Sequence, residues 1–369
     1  MRILYIAPVP PPITGQSLAC EVLLAALKKS HSVDTVNLSK TGLANGADSV
    51  HRVLEIAHIL WQVFRMQRHA DLVYFNISES RAGNAKDLLV YLLCIGKLDR
   101  MLIHMHGGAG MYTLLPERGG IRVRLNEWVF RRLGGVVSLG PRLSPIFEKR
   151  VQRERLHEVP NFAPDALFCP RDTVDQKFED TRPLRVLFLS NLLAGKGYLE
   201  LVEAISLLTP VERSQMEFHF AGGFEQPSDE SQFRTAIAPY PEVTYHGVVH
   251  GEQKVKLFRN AHLFCLPTYY PYEGQPISIL EAYASGCAVL TTDHSGILDV
   301  FTPDVSGLEV KARSASSIVE ALRVAARQPD RLHRMAAHNR DAADRLYRSE
   351  EFTTRMRLLC ESIGLARRP

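Results

Sequence analysis

Two glutamates eight residues apart, Glu273 and Glu281, and a lysine between glycines, Gly195-Lys196-Gly197, are the residues of this 369-residue chain whose types and spacing best suit chemistry. A carboxylate pair can act as acid and nucleophile in glycoside hydrolysis. The stretch from Glu273 through Gln275, Pro276, Ile277 and Ser278 to Glu281 also reads as a loop opening a helix. Ser278 suits an N-cap, Glu281 then takes the third helical position, and Gly286 ends the helix. A capping box alone would account for Ser278 and Glu281, whereas the amides of such a helix start suit a phosphate. The Gly-Lys-Gly is not a P-loop: Ser190 stands at its first glycine, and Gly197 replaces the required Ser or Thr.

The elements that position these residues follow from hydrophobic runs. In the first half, runs at 3–7, 33–38, 72–76, 101–106 and 136–139 alternate with helical patterns; in the second, runs at 184–189, 217–221, 243–245, 263–266, 288–291 and 308–310 do the same. Each run is continuous and does not alternate in polarity, as expected when helices cover both faces of a parallel sheet. This predicts an α/β chain of two Rossmann-like domains. The expected boundaries are 1–165 for the first domain, 166–183 for a proline-rich linker without an apolar face, 184–349 for the second, and 350–369 for a helix packing back on the first.

In open parallel sheets, ligands bind outside the carboxyl ends of the strands. Lys196 and Asn191 follow the run 184–189, and Glu273 follows 263–266. Gly222-Gly223 follows 217–221, and His246-Gly247-Val248 follows 243–245; both also read as tight turns. In the first half, Gly15 and Gln16 follow 3–7, where they either form a ligand loop or only start a helix from about residue 18. His106, at the end of its run and followed by glycines, is expected to be exposed, with His104 structural. No carboxylate stands out at the strand ends of this half, which disfavours a hydrolase pair.

Composition excludes other classes. Basic residues number 44 against 40 acidic, a net +4 too even for a dedicated nucleic-acid binder, so no nucleic-acid partner is expected. Hydrophobic residues at 46% and charged at 23% suit a soluble globular chain. The N-terminus lacks a signal-peptide core, and the longest apolar run, 88–95, is far short of the roughly 20 residues of a membrane-spanning helix. Six cysteines with no CxxC read as reduced core thiols of a cytoplasmic protein.

The segment E-G-Q-P-I-S-I-L-E-A-Y-A-S-G closely resembles the signature of the family-four retaining glycosyltransferases, which have the GT-B fold with parallel sheets facing a central cleft. The resemblance extends to the loop Ser190-Asn191-Leu-Leu-Ala-Gly195-Lys196-Gly197. It implies that Glu281 accepts hydrogen bonds from a nucleotide ribose, that Glu273 contacts the transferred sugar, and that Lys196 meets the donor diphosphate. A carboxylate suits a vicinal diol because it accepts twice. Asn191 stands where the family has an arginine. Gly15 and Gln16 would form the family's glycine-rich loop, His106 would lie beside the donor sugar, Gly222 would allow close backbone approach, and Val248 would meet the base through its backbone. Gln275 and Ile277 complete the expected donor site.

The implied activity moves a hexose-type sugar from a UDP- or GDP-sugar to a glycan, carried on a lipid diphosphate such as polyprenyl diphosphate, during exopolysaccharide, O-antigen or capsule assembly. It implies retention of configuration and no cofactor. The chain has no D-x-D, which predicts metal independence. A nucleotide-sugar epimerase of the same fold and a degenerate nucleotide-sugar binding subunit are the alternatives.

One further stretch concerns localisation. Residues 118–132 carry Arg118, Arg122, Arg124, Arg131 and Arg132 among Ile121, Leu125, Trp128 and Phe130, and residues 52–69 carry Trp61, Phe64, Arg65 and Arg68. Either stretch could lie on an anionic membrane surface at the inner face of the plasma membrane, or simply face the core with a solvated basic side.

Overall fold

The structure, a computed structural model, describes residues 1–39, 49–116 and 119–365. Its strands are β1 (Arg2–Ala7), β2 (Ser32–Asn37), β3 (Leu72–Asn76), β4 (Met101–His104), β5 (Gly135–Ser138), β6 (Leu156–Glu158), β7 (Leu184–Leu189), β8 (Met216–Ala221), β9 (Val243–Tyr245), β10 (Leu263–Leu266), β11 (Ala288–Thr291) and β12 (Gly307–Glu309). They form two wholly parallel sheets of six. The chain divides into two compact units, one of Met1–Asn161, Tyr272–Gln275 and Glu350–Pro369, the other of Phe162–Pro271 and Pro276–Ser349.

The first unit has the strand order β2-β1-β3-β4-β5-β6. Apolar side chains on β1, β3 and β4 are fully buried, which is why these runs lack alternation. Tyr5 and Tyr74 sit in register on β1 and β3 and stack 4.5 Å apart. The helix Ser349–Gly364 buries Phe352, Met356, Cys360 and Ile363, a stripe at helical spacing, within this unit. Strand β6 was not expected: it is three residues long, at the sheet edge and only partly buried, so it carries no apolar run.

The second unit has the order β12-β11-β10-β7-β8-β9. Its core includes Phe188, Tyr198, Phe220 and Phe233, whose rings meet mostly edge to face at 5.2 to 6.4 Å. Residues 166–183 correct the linker reading. They hold the helix Arg171–Glu179, which buries Val174 and Lys177. The Lys177 ammonium donates to the carbonyls of Ala261 (3.0 Å), Ser285 (2.7 Å) and Gly286 (2.7 Å). These carbonyls close the helices Gly251–Asn260 and Ile277–Ala284, where a cation also suits the helix dipole. All six cysteines are buried and unpaired.

Candidate functional site

In the second unit the strand order reverses between β7 and β10: the chain runs outward through β8 and β9, then returns to the other side of β7. Such a reversal opens a crevice at the carboxyl ends of the two strands. The loops that follow them carry Lys196 and the segment leading to Glu281.

Glycines let these loops close on each other. Gly197 has a φ of +85°, and a Cβ there would strike the Pro267 carbonyl. Gly222 has a φ of +142° and lies against the Ser190 carbonyl, while its own amide donates to Gly247 at 2.8 Å. The Gly195 carbonyl accepts from the Tyr269 amide at 2.7 Å, and the half-buried Lys196 ammonium lies 4.8 Å from the Tyr270 ring centroid. Asn191 is exposed, and the Val248 side chain is 60% exposed above Gly223. Thus Asn191, Lys196, Gly222 and Val248 share the carboxyl end of the second sheet, where the helix bearing Ile277 and Glu281 begins.

That helix runs Ile277–Ala284 and starts directly after Pro276, so Ser278 is its second residue and caps nothing. Proline ends an extended segment with its φ already helical, at −62°, and needs no amide partner. The expected capping box is therefore absent. Glu281 is at the fifth position and 2% exposed, and its Oε1 accepts from Lys254 Nζ at 2.6 Å. Gly286, at φ +62°, ends the helix as expected.

The other expected residues belong to the first unit. Gly15 and Gln16 are the first two residues of the helix Gly15–Lys28, capped by Thr14, so they form a helix start. The Gln16 amide donates to Asn76 Oδ1 at the end of β3. His104 is buried and bonded through Nδ1 to the Tyr74 hydroxyl at 2.7 Å. His106 corrects the expectation of exposure. It is half-buried, its ring lies 3.9 Å from that of His104, and its Nδ1 has no hydrogen-bond partner among the described residues. Burial pulls the His106 pKa down to about 4, so the ring is neutral near pH 7.

Glu273 and Gln275 group with this first unit, whereas Glu281 groups with the second, so the eight-residue spacing spans two bodies. The Gln275 amide is engaged at both ends, accepting from the Asn161 amide at 2.7 Å and donating to the Leu139 carbonyl at 3.3 Å. Gly274 lies on the His106 and Gly107 carbonyls, the latter 2.9 Å from where a Cβ would be.

One carboxylate at a strand end of the first unit escaped sequence reasoning. Glu79, three residues beyond β3, turns its carboxylate under Gly107 and Gly110 and accepts from the Gly108 amide at 3.0 Å. Burial pushes its pKa up to about 7; the amides of Gly108, Gly110 and Met111 pull it down, and the charge of Glu273 adds a further push upward. The strand order places Glu79 beside the reversal between β1 and β3, the signal that would have found it.

A separate feature of this unit is apolar. The helix Ser49–Met66 packs on Arg81–Leu93, and that on Ile121–Phe130. All three leave large side chains exposed: Val53, Leu54, Trp61 and Phe64; Leu89 and Leu92; Ile121, Leu125 and Trp128. Arg65, Arg68 and Arg132 lie over the rings of Trp61, Phe64 and Trp128 at 5.6, 4.5 and 4.0 Å. The solvent side of Ile121–Phe130 is thus apolar as well as basic, while Arg118 lies outside the described residues. No described helix is long and apolar enough to cross a membrane.

The two parallel sheets with their covering helices form an α/β fold that matches the GT-B fold. Residues 171–342 match the family model described as glycosyl transferases group 1. Over 143 residues the chain is 29% identical to the N,N'-diacetylbacillosaminyl-diphospho-undecaprenol alpha-1,3-N-acetylgalactosaminyltransferase of Campylobacter jejuni, covering 39% of this chain and 35% of that protein. It is 30% identical over 133 residues to the amylovoran biosynthesis glycosyltransferase AmsK of Erwinia amylovora, covering 34% and 32%. The chain therefore spans about a third of the length of the curated relatives it matches. Anabaena Alr3699/HepE, solved with UDP and glucose, superposes with a TM-score of 0.72 over 98% of this chain and 100% of its own at 13% identity, a likeness of fold.

Proposed function

We propose that the protein is a family-four retaining glycosyltransferase that moves a hexose-type sugar from a UDP- or GDP-sugar to a glycan acceptor carried on a lipid diphosphate, in surface polysaccharide assembly. The observation that carries this reading is the gathering of Lys196, Gly222, Val248 and Glu281 at the carboxyl end of the second sheet, around its strand-order reversal. The names of the Campylobacter and Erwinia relatives support a lipid-diphosphate or polysaccharide substrate, and the UDP bound by the Anabaena protein supports the donor class.

In this reading Glu281 takes the ribose hydroxyls, Val248 meets the base through its backbone, and Lys196 neutralises charge as the diphosphate leaves. That fixed cation lowers the transition state more than the ground state. Asn191 offers a neutral amide near the same diphosphate, while Gly222 keeps the backbone open to it. Glu273 and the neutral ring of His106 orient the sugar hydroxyls, and Gln275 and Ile277 hold the backbone on either side of Pro276. Charge compensation by lysine, with no D-x-D in the chain, makes the reaction metal-independent.

Sugar transfer or donor hydrolysis should be abolished by Glu281→Ala and by Lys196→Ala. A wild-type protein that binds nucleotide sugar but shows neither activity with a membrane acceptor extract would instead be a binding subunit. The protein works at the inner face of the plasma membrane, attached through the Trp61, Phe64 and Trp128 face and its arginines, each worth about 1 kcal/mol near an anionic surface. It should co-sediment with anionic vesicles and be released by salt; no sedimentation at low salt would rule out the attachment.

A further inference from the structure

Lys254 belongs to no site described by the sequence signature, yet it is the residue bonded to Glu281. It lies on the helix Gly251–Asn260, one turn before the buried Phe258, so its stem follows the core-facing row, while Lys256 on the same helix is exposed. Its ammonium reaches Glu281 Oε1 at 2.6 Å; 24% of the Lys254 side chain remains exposed, against 2% for Glu281. Among the described residues it is the one group hydrogen-bonded to that carboxylate.

The bond accounts for one of the three ammonium donors and leaves Glu281 Oε2, with the second lone pair of Oε1, as acceptors. A vicinal diol needs two acceptors held at fixed spacing. A lone carboxylate at the end of a flexible side chain would have to be ordered on binding, whereas one clamped through Oε1 is ordered beforehand. The ammonium also offsets the negative charge of Glu281, so the pair is net neutral and does not repel an anionic ligand in the unit that contains Lys196.

We propose that Lys254 is a nucleotide-recognising residue of the donor site, fixing the Glu281 carboxylate for the ribose diol and offering its remaining N–H donors to the ribose side of a bound nucleoside diphosphate. This rests on the reading of Glu281 as the ribose anchor. It assigns to this chain a cation at the nucleoside end of the donor, apart from Lys196 at the diphosphate end.

The test is calorimetric binding of UDP, GDP and their 2′,3′-dideoxy analogues to the full-length protein and to Lys254→Met, which keeps the stem and removes charge and donors. The expected result is a loss of about tenfold or more for the preferred ribonucleotide, the scale of a charge-assisted hydrogen bond, with little change for its dideoxy analogue. Should the Met variant lose its cooperative melt, Lys254→Gln, which stays polar but is shorter and removes the charge held against Glu281, is expected to show the same selective loss. Wild-type binding with unchanged affinity in a folded variant, or equal loss for ribo and dideoxy ligands, overturns the role of Lys254 alone. Failure of the wild type to bind either diphosphate overturns the donor-site reading and this inference with it.

Discussion

Replacing Lys177 by methionine tests how the two helices that carry Lys254 and Glu281 are held. The side chains have similar length, so packing changes little, but three carbonyls lose a charged donor: Ala261 O, Ser285 O and Gly286 O. Ala261 O still accepts from the Cys287 thiol at 3.2 Å, whereas Ser285 O and Gly286 O lose the donor shown for them, and each buried carbonyl left unpaired costs about 1–3 kcal/mol. Removing the ammonium also recovers its own burial cost, the same cost that draws the Lys177 pKa below the ordinary lysine value. The balance is a loss of about 2–4 kcal/mol. Urea unfolding followed by far-ultraviolet circular dichroism is the assay. Trp61 and Trp128, the chain's two tryptophans, both belong to the first unit, so tryptophan fluorescence does not report on this perturbation directly. With two units the transition need not be two-state, so the earliest transition is the one to compare. A loss below about 1 kcal/mol would refute the reasoning, because water or a relaxed backbone would then be satisfying those carbonyls equally well.

Glu79 gives a pH test. Its carboxyl is raised by burial to about 7, so between its unfolded value and that pH the folded chain binds the extra proton and stability falls as pH rises. Glu79→Gln should therefore be more stable than wild type at pH 8 and show no such gain at pH 5; parallel melting-temperature profiles for the two proteins would contradict this. Gly274→Ala should lower transfer activity at least about tenfold and cost about 1–3 kcal/mol, since the new methyl meets the backbone carbonyls of His106 and Gly107. Wild-type activity and melting temperature in that variant would show that the loop yields freely.

Where hydrophobic runs are buried on both faces, the strands were legible in the sequence: the eleven expected runs all hold strands, within a residue or two at most ends. Strand β6 was not, because Leu156-His157-Glu158 lies at an edge where one side meets solvent and no apolar run is required. The helix 171–179 was hidden for a related reason. It is polar on most sides and buries a lysine, which in sequence looks like a solvated residue. The placement of Lys196, Gly222 and the segment leading to Glu281 at the strand ends of the second sheet was legible because glycines, a carboxylate and a cation just after an apolar run are local marks. Glu79 and Lys254 were not, since what they do depends on which strands and helices become neighbours. His106 shows the same limit: its glycine-rich surroundings suggested exposure, but the ring turns inward against His104.

The chain's path between its units has a consequence for how such proteins diversify. The boundaries after residues 161, 271, 275 and 349 mean that each body is assembled from separated stretches of the gene. A fragment ending at residue 161 would lack both the short piece that supplies Glu273 and the C-terminal helix that buries Phe352, Met356 and Cys360. A single recombination event therefore cannot graft a new second body onto an intact first one. New specificities are more readily reached by point substitution in the strand-end loops, or by exchange of a central block that leaves residues 272–275 and the last helix in place.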